Sequence, residues 1–153
     1  MPTKYRGSDR EVRALNAYIT LMRAADAFSS ALHRQAAGKG LTGSQFGILE
    51  VLLHLGPVCQ GDLASKLLRS GGSVTSVVEG LESKGLVERR RDGADKRFVT
   101  VSLTPKGSKL IAGFFPEHAR AIADQFGALT APEQDELRRL CRKLGKAVKE
   151  AAP

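Results

Sequence analysis

Between Lys84 and Arg97 the chain sets Lys84, Arg89, Arg90, Arg91, Lys96 and Arg97 against only Glu88, Asp92 and Asp95, a local excess of three positive charges. Cations at this density bind polyanions, because each phosphate they neutralise releases condensed counterions. Just upstream, Ser70, Ser73, Thr75 and Ser76 supply small hydroxyls. Such side chains hydrogen-bond to phosphates or base edges while leaving a helix slim enough to enter a major groove. A second chemistry belongs to Cys59, which falls where a helix should begin after Gly56-Pro57, at a position that Ser or Thr would normally cap. Free backbone N–H groups and the positive dipole end favour a thiolate there. A quinone can alkylate such a thiolate, and an oxidant converts it to a sulfenic acid or disulfide. Other chemistries are weakly supplied. His33, His54 and His118 show no metal-ligand spacing with one another or with Cys59 and Cys141. No phosphate loop, nucleophile elbow or placed carboxylate pair is present. Neither an enzyme nor a cofactor- or metal-dependent protein is expected.

The bulk numbers agree with a polyanion partner. The 153 residues are 42% hydrophobic and 26% charged, the balance of an ordinary folded protein, and carry a formal charge of +8. That charge points to nucleic acid or an acidic membrane surface. No apolar run approaches the ~18 residues needed to span a bilayer, and no charged-then-apolar leader opens the chain. Two cysteines far apart make no disulfide framework, so a reducing cytoplasm is expected. With aromatics at 5% and no Trp, the core should be built from Leu, Val, Ile and Ala.

The elements that must carry these groups follow from periodicity. Ser8 can cap a long helix in which Val12, Leu15, Ile19 and Met22 recur at helical spacing, ending between Ala36 and Gly40. Thr42-Gly43-Ser44-Gln45 is a capping box for a helix that buries Phe46, Leu49 and Leu52 and stops at Gly56-Pro57. A short helix from about Gln60 to Leu68 turns inward Leu63, Leu67 and Leu68. A glycine turn at Gly71-Gly72 follows, and Ser73 can cap the next helix, with Val74, Val77, Val78 and Leu81 inward and Gly85 as its stop. Two helices about a short glycine turn, the second with a small polar face, make a helix-turn-helix. Alternation then replaces helical period. Leu86–Arg90 and the stretch around Val99, Val101 and Leu103 read as a hairpin with a charged Asp92-Gly93 tip, a wing. Thr104-Pro105 opens a further helix with Phe114 on its apolar face, which Pro116 should kink. Thr130-Ala131-Pro132-Glu133 opens the last helix, where Leu137, Leu140, Leu144 and Val148 form a stripe and Cys141 packs in a core or dimer seam. The expected fold class is mainly α with a small β-hairpin wing: a winged helix-turn-helix lobe over 41–104, with helices over 8–36 and 105–150 forming a dimerisation lobe. Unpartnered, the apolar stripes of the terminal helices would be exposed patches.

The string Asp95-Lys96-Arg97-Phe98-Val99-Thr100-Val101-Ser102-Leu103-Thr104-Pro105-Lys106-Gly107, preceded by Leu81-Glu82-Ser83-Lys84-Gly85-Leu86-Val87, resembles the signature of the multiple-antibiotic-resistance-regulator (MarR) family. The resemblance extends in element order over essentially the whole chain. It implies a homodimeric transcriptional repressor on a pseudo-palindromic double-stranded DNA operator. Arg97 would be the wing arginine in the minor groove, Asp95 its orienting partner, and Lys96 and Arg91 neighbouring cations of the wing. Ser73, Thr75 and Ser76 would lie on the recognition helix. Relatives often carry an arginine where Ser76 stands, a contact that Arg69 or Ser70 would have to replace here. Family effectors are small aromatic acids, phenols or oxidants. The segments Gly56–Gln60 and Phe115–Ala119 are similar to the branch controlling resistance to quinones and catechols, which singles out Cys59. A reversible effector would instead need an apolar pocket, for which Tyr18, Phe46, His54 and Phe114 are candidates. The alternative is an architectural DNA-binding protein without sequence preference, which would bind operator and scrambled DNA almost equally.

Overall fold

The computed structural model describes residues 3–67, 73–91 and 98–151. Six helices and three strands run in the order α1 (Asp9–Ala37), α2 (Gly43–Leu55), β1 (Val58–Cys59), α3 (Gln60–Lys66), α4 (Val74–Ser83), β2 (Val87–Arg91), β3 (Val99–Leu103), α5 (Pro105–Phe126) and α6 (Ala131–Glu150). Two compact units divide this chain, Met1–Gly113 and Phe114–Pro153. The first holds α1 together with the helix-turn-helix elements.

Local chemistry sets the helix starts. Ser8 accepts from the Glu11 backbone N–H while the Glu11 carboxylate accepts from the Ser8 N–H at 2.8 Å. Thr42 and Gln45 make the same reciprocal pair at the head of α2, each bond 3.1 Å. These bonds satisfy donors that a helix end would otherwise leave free. The short third helix ends at Lys66 rather than Leu68; Leu67 is its C-cap and Leu68 lies outside the described residues. Ser73 occupies the N-cap of α4 with extended backbone, and its carbonyl accepts from Val77 N–H at 3.1 Å. Its hydroxyl, however, makes no capping bond, contrary to expectation.

The core of the first unit is aliphatic, as the composition required. Ile48, Leu49, Leu63, Val78, Leu81, Val101 and Ile111 are fully enclosed. Burying each such side chain stabilises by about 1.5–3 kcal/mol, so this packing, more than any surface ion pair, seats α4 on α2 and α3.

The hairpin is not the two-stranded ribbon that alternation predicted. A third strand, β1, pairs antiparallel with β3 (Val58 opposite Val101, Cys59 opposite Thr100), giving the order β1-β3-β2. In the other ladder Val87 faces Leu103, Arg89 faces Val101 and Arg91 faces Val99. Val87, Arg89 and Val101 therefore share the helix-facing side of the sheet, while Glu88, Arg90, Thr100 and Cys59 share the other. From that inner side the Arg89 guanidinium reaches α4, donating through Nε (2.9 Å) and Nη2 (2.6 Å) to the Glu82 carboxylate, with Glu79 at 3.7 Å. The Arg89 backbone N–H adds a bond to Glu82 at 3.3 Å. The guanidinium holds the Glu82 carboxyl below its ordinary value of 4.5.

Where α5 begins, its first turn is bonded to the turn between α4 and β2. Gly85 has φ +69°, a conformation open to glycine at little cost. The Thr104 hydroxyl donates to the Gly85 carbonyl at 2.7 Å and accepts from the Gly107 N–H at 3.0 Å. Thr104 N–H bonds the Leu86 carbonyl (3.1 Å), and Lys106 Nζ bonds the Lys84 carbonyl (2.8 Å). Gly107 is required by proximity: a Cβ there would collide with the Leu86 carbonyl.

The second unit contains the rest of α5, which continues through Pro116, and α6. His118 is buried and lies near the rings of Phe114 and Phe115, at centroid distances of 6.3 and 5.9 Å. The Glu133 carboxylate accepts from the Thr130 N–H and hydroxyl, both at 2.8 Å, as the motif predicted. No residue of α6 is buried. Leu137, Leu140, Leu144 and Val148 are 37–63% exposed, and Cys141 beside them is exposed too, so Cys141 is not part of a core within this chain.

Two outcomes follow from the α4–β2–α5 junction. Gly107→Ala should lose about 3 kcal/mol, lowering Tm by roughly 6–12 °C, because the clash is with backbone that cannot yield. Gly113→Ala in the same helix meets open space and should instead gain up to about 1 kcal/mol from helix propensity. Thermal melts of the two variants check this; equal effects would refute the close-approach account. For the Arg89–Glu82 clamp, the lowered folded-state pKa means that its stabilisation is complete above about pH 4.5 and fades as pH falls through that lowered value. The Tm gap between wild type and Glu82→Gln should thus be open at pH 7 and narrow as the pH is taken down through that lowered value. Because both groups are partly exposed, it should also shrink in high salt. A gap independent of pH would show that the carboxylate charge contributes nothing.

Candidate nucleic-acid interface

The face of α4 turned away from the core carries Thr75, Ser76 and Glu79, all exposed, with Ser73 exposed at its N-cap. Helical period explains the division: Val78 and Leu81 occupy the opposite side and are buried. The Ser73 hydroxyl at the head of this face is not spent on a cap. The Thr75 hydroxyl is held from the neighbouring helix, accepting from Gln60 Nε2 at 3.1 Å. Such a surface can sit against phosphates and present hydroxyls to base edges.

Of the four described cations in the basic run, Lys84, Arg89, Arg90 and Arg91, the structure gives two to the fold. Lys84 Nζ donates to the Gly40 carbonyl at 2.6 Å and to Gln45 Oε1 at 2.9 Å, tying the end of α4 to the turn before α2. Arg89 is committed to Glu82. Sequence reasoning counted both as surface charge, since nothing local distinguishes them from their neighbours. Arg90 is 77% exposed, beside Glu88 at 3.0 Å, and Arg91 is exposed at the end of β2. Ser70, Asp95, Lys96 and Arg97 lie outside the described residues, as does Arg69.

Cys59 stands where expected, as N-cap of α3, with no side-chain capping bond and with intermediate exposure. Its membership of β1 was not foreseen: the same residue begins α3 and pairs with Thr100 in the sheet. The pocket candidates are carried by three helices, α1, α2 and α5. Tyr18, 60% exposed, lines a shallow depression on α1 with Tyr5, Glu11, Ala14 and Leu15, and neither Phe46 nor His54 takes part in it. Phe46 is buried in α2 and His54 is exposed near the end of that helix, while Phe114 is buried in the second unit. Among the described residues there is no cluster of His, Cys, Asp or Glu able to hold a metal. None of the described helices is long and apolar enough to cross a membrane.

Comparison with known proteins converges on one family. Residues 39–97 match the MarR family model. The chain is 37% identical over 133 residues to the Bacillus subtilis HTH-type transcriptional regulator YkoM, spanning 87% of this chain and 86% of that one. It is 29% identical to the B. subtilis HTH-type transcriptional regulator MhqR, spanning 90% and 95%. Among solved structures it is similar to Bordetella bronchiseptica BpsR, whose DNA binding is regulated by 6-hydroxynicotinic acid, with 27% identity, a TM-score of 0.76 and coverage of 84% and 98%. The helix-turn-helix, the three-stranded sheet behind it and these similarities have one meaning: this chain belongs to the MarR family of DNA-binding transcriptional regulators.

Proposed function

We propose that the protein is a homodimeric repressor that holds a pseudo-palindromic operator with α4 and the β2–β3 hairpin, and that a small phenolic or quinone effector, or oxidation of Cys59, releases it. The observation that carries the DNA half of this reading is the exposed hydroxyl face of α4, set on a core of Leu63, Val78 and Leu81. Ser73, Thr75 and Ser76 would meet the major groove, with Ser70 at its edge. Arg97, oriented by Asp95 and flanked by Arg91 and Lys96, would meet the adjacent minor groove, where narrow A·T-rich segments attract arginine. A twofold protein calls for a pseudo-palindromic site with half-sites a helical turn or a multiple apart.

Dimerisation is supported by what each terminal helix leaves exposed. Leu137, Leu140, Leu144 and Val148 lie along one face of α6 and remain open to solvent, as do Tyr18 and Met22 of α1. Apolar stripes of this length on a soluble chain mark an interface. Sedimentation of the full chain should give a dimer, and Leu140→Glu with Leu144→Glu should give a monomer that no longer binds operator DNA. A wild-type monomer at micromolar concentration would overturn this part of the proposal.

The signal is proposed at Cys59 because that one residue belongs to two elements, the start of α3 and the β1–β3 ladder. An adduct on its sulfur would strain the helix that supports α4 and the root of the wing together. Regulation of BpsR by a hydroxylated aromatic acid favours the same effector class. Fluorescence anisotropy on the DNA upstream of the protein's own gene, titrated with a simple quinone, tests the whole reading. Wild type should bind and be released, Cys59→Ser should bind and stay bound, and Arg97→Ala should bind weakly. Release of Cys59→Ser at the same quinone concentration would move the effector to a reversible pocket, with Tyr18 the first residue to vary. Equal affinity for scrambled DNA would favour the architectural alternative instead.

A further inference from the structure

Gln60 opens α3 and its side chain reaches across to the recognition helix, where Nε2 donates to Thr75 Oγ1 at 3.1 Å. Its other amide atom, Oε1, is enclosed and has no hydrogen-bond partner among the described residues. That asymmetry sets the direction of the bond. Turning the amide over would enclose an NH2 group with two donors in place of a single acceptor oxygen, at greater cost. Thr75 itself is exposed. With one lone pair of its hydroxyl taken by Gln60, Thr75 keeps its O–H proton and a second lone pair, and an oxygen that already accepts a bond is polarised into a stronger donor. Among the described hydroxyls of this face, Ser73, Thr75 and Ser76, only Thr75 is held from another element.

We propose that Gln60 is a positioning residue for sequence readout: it fixes the Thr75 hydroxyl as a hydrogen-bond donor to an acceptor on a base edge, purine N7, guanine O6 or thymine O4, in the operator's major groove. A freely rotating hydroxyl can offer a proton or a lone pair and so discriminates little between bases; a hydroxyl that already accepts at its oxygen is biased toward donating its proton. Donors and acceptors alternate distinctly along the major-groove edge of each base pair, so this choice carries sequence information. The inference rests on α4 being the element that reads DNA.

The test is selection of bound duplexes from a random-sequence library by the full-length protein, comparing wild type with Gln60→Leu, Gln60→Glu, Thr75→Val and the double variant Gln60→Leu/Thr75→Val. Wild type should enrich a motif. Gln60→Leu and Thr75→Val should each lose about tenfold in preference at one and the same base-pair position of each half-site, and the double variant should lose no more than either alone. Gln60→Glu is the sharper probe. Its carboxylate accepts the Thr75 proton, leaving a lone pair toward the groove, and preference at that position should move toward adenine N6 or cytosine N4. If Gln60→Leu weakens every position equally, or if its effect persists in full on top of Thr75→Val, Gln60 only supports α3 and the proposal fails. A wild-type motif left intact by Gln60→Leu overturns it as well. Wild type that enriches no motif overturns the operator reading itself, and this proposal with it.

Discussion

The contact between Gly107 and the backbone of Leu86 is the constraint around which the first unit is arranged. It lets the start of α5 lie directly on the turn that joins α4 to β2, at a distance no side chain would allow. Four hydrogen bonds then converge on three consecutive carbonyls of that turn and on the N-terminus of α5, from Thr104, Lys106 and Gly107. The leucine-threonine-x-x-glycine pattern thus has a mechanical meaning. Thr104 both caps α5 and bonds the glycine that ends the recognition-helix segment, and Gly107 makes room for the approach. The first turn of α5 is therefore bonded directly to the end of α4 and to the first residue of the wing.

Charge in this region has two separate duties. Lys84 and Arg89 bind the recognition helix to the turn before α2 and to the sheet, and both satisfy acceptors of the fold. Arg90 and Arg91 point into solvent further along the same hairpin. A hydrogen-bonded pair with carboxylate geometry holds orientation, whereas exposed guanidinium groups supply attraction that weakens with salt. The fold places the first kind at the base of the wing and the second toward its end. The base of the wing is also where β1 adds its two residues. Cys59 thereby belongs to the sheet as much as to α3.

What local spacing could announce, it announced correctly. The pairs Ser8 with Glu11, Thr42 with Gln45 and Thr130 with Glu133 are satisfied within one turn of helix, so residue type and a three-residue interval suffice to place the starts of α1, α2 and α6. The same holds for the aliphatic faces of α2 and α4 and for the alternation of Val87 to Arg91 and Val99 to Leu103, because a period of 3.6 or 2 selects which side of an element is buried. The family resemblance rested on these same elements and on the Thr104 to Gly107 signature, and it held.

Partners distant along the chain were not legible. Val58 and Cys59 make too short a strand to leave a pattern, and they pair with residues more than forty positions away. Lys84 and Arg89 look like any other cations of their run until Gly40, Gln45 and Glu82 are brought beside them. Gln60 gains its bearing on Thr75 only when α3 crosses α4. The physical reason is common to all of these. A helix cap or an amphipathic face is settled by neighbours within a turn or two, whereas the choice among chemically equivalent donors and acceptors depends on distances and angles that exist only once the core of Leu63, Val78 and Val101 has packed.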